Sequence, residues 1–105
     1  MSDHPQAAKF DLGQVVNHKL FGYRGVVLDV DPEFLGSEAW YDNMAKSHPP
    51  KDQPWYHVLV HDAEHQTYVA ERNLETDAGQ IEHPLVPLVF ADFDGDKYAT
   101  RFVMN

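Results

Sequence analysis

Residues 13–32 read G-Q-V-V-N-H-K-L-F-G-Y-R-G-V-V-L-D-V-D-P, and this stretch decides the fold. Three glycines would each weaken a helix, valine is dense, and Val26, Leu28 and Val30 recur with period two. The pattern therefore predicts a short strand over residues 14–18, a tight turn at residues 19–22, and a longer strand over 23–31 that Pro32 stops. Gly22 supplies the positive φ that a turn demands. Gly25, inside a strand, predicts a bulge or bend where a sheet curls toward closure, as in small barrels.

Working outward, residues 1–8 are polar and expected to be a flexible tail, and residues 9–105 are expected to form one domain. Phe10 and Leu12 are placed to close one end of a barrel. A long insertion, residues 33–54, follows the second strand and ends in the extended run P-P-K-D-Q-P. Inside it, S-E-A-W-Y-D-N-M-A-K (37–46) allows one short helix with Ser37 as N-cap, Glu38 in the first turn and Lys46 near the end. Trp40 and Met44 share a face of that helix with Tyr41 beside them, either packed back over a barrel opening or presented to a partner.

W-Y-H-V-L-V-H-D (55–62) alternates as a strand, with Tyr56, Val58 and Val60 on the expected core face and Trp55, His57, Leu59 and His61 on the other. The expected core is thus Val16, Val26, Leu28, Val30, Tyr56, Val58 and Val60. Residues 62–65 turn the chain, 67–71 return as a strand, and Arg72-Asn73-Leu74 forms a single helical turn with Leu74 beneath the barrel. Residues 75–84 read as a connection. Beyond them, L-V-P-L-V-F-A-D-F and K-Y-A-T-R-F-V-M flank Asp94-Gly95 as a terminal hairpin, with Pro87 at an edge or ahead of the paired region.

A net charge of −9, from 17 acidic and 8 basic residues, repels phosphate backbones and anionic membranes unless the cations cluster. With no cysteine, neither a disulfide framework nor a thiolate zinc site is available. The N-terminus lacks a signal-peptide pattern and no apolar run is long enough to cross a bilayer, so a soluble cytoplasmic protein is expected.

His57, His61 and His65, with Asp62 and Glu64, are the candidate metal group, but a strand and turn separate them, and no metal or other cofactor is expected. No nucleophile elbow or phosphate loop is present. His18 paired with Asp29 or Asp31 reads as a structural histidine, no nucleophile accompanies it, and no catalytic residue is assigned. Tyr23, Trp55, Tyr56 and Tyr68 are weighed as core volume against a cation-binding cage at a barrel mouth.

Three blocks, residues 13–32, P-W-Y-H-V-L-V (54–60) and T-Y-V-A-E-R-N-L (67–74), carry a resemblance. In this order and spacing they resemble the heat-shock protein HspQ family, also called the hemimethylated-DNA-binding or YccV-like domain, over roughly residues 9–75. The resemblance implies an all-β, SH3-like barrel with a long loop between its second and third strands, and a non-enzymatic stress protein that is often a homo-oligomer, a trimer being one form. It also implies two roles: assistance to the Lon protease in selecting substrates, and binding of hemimethylated DNA with an influence on the replication initiator DnaA. For a protein partner the expected determinants are Trp40, Tyr41, Met44 and Trp55; for DNA they are Lys19, Arg24 and Arg72. The charge balance places the Lon-type adaptor first and the DNA-binding regulator second.

Overall fold

A computed structural model describes residues 8–101, so the tail expected at residues 1–8 lies, apart from Ala8, outside the described residues, as do positions 102–104 of the expected last strand. Strands β1 (Val15–His18), β2 (Arg24–Asp31), β3 (Trp55–Val60), β4 (Gln66–Ala70) and β5 (Leu74–Thr76) form one antiparallel sheet in the order β4-β3-β2-β1-β5. A second, two-stranded sheet pairs β6 (Phe90–Phe93) with β7 (Tyr98–Thr100). The all-β class follows. The ladder stays open between β4 and β5, which a single 3-10 turn, Glu71–Asn73, connects.

The opening hairpin forms as its residues dictate. Gly22 has a φ of 74°, its amide donates to the His18 carbonyl (2.8 Å), and the His18 amide donates to Tyr23 (2.8 Å). The bulge, however, falls between Val27 and Asp29, not at Gly25. Gly25 serves a different need: a Cβ there would lie 2.4 Å from a Val58 methyl and 2.6 Å from the Leu59 carbonyl oxygen, so only glycine lets β3 approach.

That bulge explains the main departure from the expected core. An extra residue in β2 flips the alternation, so Val26 and Leu28 belong to one face while Val27 and Val30 belong to the other. The face of Val27 and Val30, hereafter the first face, buries Phe10, Val16, Val27, Tyr56, Val58, Val69 and Leu74. The opposite face is buried too: Val15, Val26 and Leu59 pack beneath Ile81, Phe90 and Tyr98 of the C-terminal segment. The expectation of a one-faced core is therefore corrected. β3 is buried at five of its six residues because separate segments cover both its sides.

Further corrections are local. Leu12 is exposed, leaving Phe10 to pack edge-on against Tyr56. Residues 75–84 are more than a connection, since they complete β5 and bury Ile81 and His83. Residues 86–89 form a short helix, α2 (Val86–Val89), with Pro87 in its first turn where no amide is needed. The terminal hairpin closes as the Asp94 amide donates to the Lys97 carbonyl (3.0 Å). Among the described residues no helix is long and apolar enough to cross a membrane.

Candidate functional site

The insertion packs back on the sheet through α1 (Glu38–Met44), whose N-cap Ser37 accepts the Trp40 amide at 3.0 Å. Lys46 lies beyond the last turn of this helix, so it does not complement the helix end as expected. Tyr41 faces inward with Ala45, Trp55 and Ala70, against Phe34, Trp40 and Tyr68. Its hydroxyl donates to the Pro49 carbonyl (2.7 Å) and the Trp55 indole donates to Pro50 (3.0 Å), so the proline-rich run is pinned to the aromatic cluster. Trp40 sits 5.6 Å from Tyr68 and 6.1 Å from Trp55, ring centre to ring centre.

On the other side of β4 stands the turn between β1 and β2. The buried His18 accepts the amides of Leu20 and Phe21 on Nδ1, each at 3.2 Å, and its ring stacks on Phe21 at 4.5 Å. Burial lowers the His18 pKa, favouring the neutral ring that can accept these bonds. Phe21 is thereby held in place although 73% exposed. Tyr23 completes this side, its hydroxyl 2.7 Å from Thr67 Oγ1; burial raises its pKa.

Between these two walls runs a groove of about 780 Å³ along β4, lined on one side by Leu20, Phe21 and Tyr23 and on the other by Trp40, Met44 and Trp55. Lys46, His18, His57 and His65 are the basic groups in its lining, and among the described residues no carboxylate lines it, although the chain has 17 acidic residues.

Of the residues assigned to a protein partner, Trp40, Met44 and Trp55 line this groove, with Met44 63% exposed; Tyr41 is buried in the cluster beneath. Sequence reasoning missed Leu20 and Phe21, read only as a turn. Two bulky apolar residues at a tight turn of an acidic protein were the available signal. Tyr23, Trp55, Tyr56 and Tyr68 do not form a cage: Tyr56 belongs to one face of the sheet and Trp55 and Tyr68 to the other. The Tyr56 hydroxyl donates to buried Glu71, which also accepts the Lys9 amide (2.9 Å), and burial followed by this bond raises the Tyr56 pKa.

The residues assigned to DNA converge only in part. The Lys19 amide donates to the Asn73 carbonyl (2.8 Å), which sets Lys19 near the turn bearing Arg72, and both side chains are exposed. Arg72 donates to the Ser47 carbonyl (2.8 Å). Arg24 is half-buried, ion-paired with Asp77 (3.3 Å) and donating to Ala78 (2.6 Å), so its charge is already countered. Lys51 and Lys97 are likewise paired, with Glu38 and Asp11.

The histidine that meets Asp31 is His57, at 3.3 Å, and not His18. Asp31 also accepts the Tyr68 hydroxyl at 2.6 Å, and burial with this bond raises the Tyr68 pKa. His61 accepts the Glu82 amide and lies 3.4 Å from Asp62, while His65 is exposed at the groove, so the three expected metal-group histidines point to separate tasks. Ligand atoms of Asp29, Asp31 and His57 instead lie within 4.8 Å of one another. Two of these groups are already engaged, with each other and with Tyr68.

The family model described as "Hemimethylated DNA-binding protein YccV like" matches residues 8–97, which takes in the sheet, the insertion and both walls of the groove. The chain belongs to the YccV-like family.

Proposed function

We propose that the protein is a non-enzymatic adaptor that binds polypeptides in the groove along β4 and brings them to a Lon-type protease. One observation carries this reading: a large apolar groove, lined by no carboxylate among the described residues, on a chain of net charge −9. Desolvated aromatic and aliphatic anchors supply binding energy, and the acidic remainder of the surface maintains solubility. The same reading includes self-association, supported by Leu88, 65% exposed on α2, beside the half-exposed Leu85. Light scattering that returned only a monomer mass would remove that part.

A second reading has its own support. The family description names hemimethylated DNA, and Lys19 and Arg72 are exposed on adjoining turns. Two such cations, with Arg24 held by Asp77, supply few phosphate contacts, and affinity from these would fall steeply with salt.

The test replaces Trp40 and Met44 with alanine in one variant and Lys19, Arg24 and Arg72 in another. Degradation of a client by the protease is measured alongside titration of hemimethylated and fully methylated duplexes at two salt concentrations. The adaptor reading expects stimulated degradation to be lost with the first variant only, and duplex binding to be weak and indifferent to methylation. Tight binding that prefers the hemimethylated duplex and is lost with the second variant would reverse the order.

A further inference from the structure

We propose that β4 accepts an extended, apolar segment of an unfolded polypeptide as an added strand. This deepens the adaptor reading and rests on it, because it names what the groove holds and how.

The backbone comes first. β4 ends the strand order, and among the described residues no strand pairs with its outer edge. The Glu71 amide donates to the Pro54 carbonyl (3.0 Å) and the Val60 amide to the His65 carbonyl (3.3 Å), which fixes the odd-numbered positions as those bonded to β3. The N–H and C=O groups of Gln66, Tyr68 and Ala70 therefore point away from the sheet, along the groove. Such an edge is a template for another strand, and proteins usually blunt it with charge, proline or a covering segment. β4 reads Q-T-Y-V-A and has none of the first two.

The side chains then select the occupant. An added strand lies about 4.8 Å from β4 and sends alternate side chains to opposite faces. One set would meet Leu20, Phe21 and Tyr23; the other would meet Trp40 and Met44. Both walls are apolar, so the matching segment is apolar on both faces. That pattern belongs to strands buried inside folded proteins, and it becomes accessible when they unfold. Charge narrows the choice further, since among the described residues the lining carries Lys46 and no carboxylate, and so offers a lysine or arginine of the segment no counter-ion. The stack of Phe21 on His18 and the packing of Trp40 against Tyr68 hold both walls in place before anything binds, which limits the ordering cost.

The probe is a soluble peptide with a six-residue core of valine, leucine and phenylalanine flanked by glutamates, titrated against the full chain. Two further versions carry N-methyl groups on alternate core residues, one in each frame, which removes amide donors and leaves the side chains. Strand addition expects one frame to weaken binding by roughly tenfold or more, from two or three lost hydrogen bonds, while the other changes it little. Phe21→Glu and Met44→Glu alter exposed side chains and should each weaken binding without unfolding the protein.

Equal effects in both frames would overturn strand addition. Failure of the peptide to bind, with client degradation still stimulated, would sink the inference and leave the adaptor reading standing. Loss of both would sink the two together. Self-association abolished by Phe21→Glu in peptide-free protein, or a single-stranded oligonucleotide competing for the same walls while the peptide does not bind, would assign the edge to a different occupant.

Discussion

β3 and β4 are neighbours with similar residues, W-Y-H-V-L-V and Q-T-Y-V-A, yet they do different work. β3 is paired on both edges and covered on both faces, by Phe10 and the 3-10 turn on one side and by α1 and the C-terminal segment on the other. β4 is paired on one edge, and its other edge faces a groove with exposed apolar walls. Apolar surface adds stability in the first strand; beside the second, the walls of the groove keep Phe21 and Met44 exposed. Position in the sheet, more than composition, separates the two roles.

The contrast breaks most visibly at Trp55, which is 1% exposed and joins the insertion to the sheet. Replacing it with alanine should cost about 3–5 kcal/mol of stability, the scale for deleting a buried aromatic, as read from denaturant unfolding. Leu59→Ala tests whether the second face of β3 is truly buried, and about 2–5 kcal/mol is expected. Val58→Ala tests the first face and should cost on the order of 1–3 kcal/mol. If Val58→Ala were costly and Leu59→Ala neutral, the C-terminal segment would not cover the sheet.

A pH effect sharpens the picture at one wall of the groove. Burial depresses the His18 pKa below its ordinary value, so the unfolded state takes up its proton first as pH falls. The stability tied to neutral His18 is complete above about pH 6.5 and is lost as pH drops from there through the folded-state value. His18→Gln should flatten this acid limb relative to the parent, and parallel stability curves would contradict it. The smallest effects belong to the groove itself: Phe21→Ala and Met44→Ala should each shift stability by less than about 0.5 kcal/mol, since both side chains are mostly exposed. A large loss at either would mean that the walls are part of the core.

Much of the sheet was legible in the chain because its signals are local. Gly22 marked its turn, Ser37 its helix cap, and period-two alternation placed Tyr56 and Val58 together. The two-faced core was hidden because Val26-Val27-Leu28 is continuously apolar, and only the ladder with β3 reveals where the extra residue sits. Leu85-Val86-Pro87-Leu88-Val89 misled in the same way, since a short apolar run fits a strand or a helical turn equally and packing on the sheet decides. At the candidate site, Trp40 and Met44 stood out as bulky residues in a polar insertion. Leu20 and Phe21 did not, because they reach the groove from a turn some 45 residues away in sequence from the strand they flank, and only pairing brings these segments together.

A polypeptide that binds at the open edge of β4 would bond to the outward amides of that strand. Residue-resolved amide hydrogen exchange, with and without an unfolded client, tests this most directly. Free protein should show rapid exchange at Gln66, Tyr68 and Ala70 and slow exchange through β3, and the client should slow those three amides while leaving β3 unchanged. Binding of the client with no change at these amides would contradict strand addition.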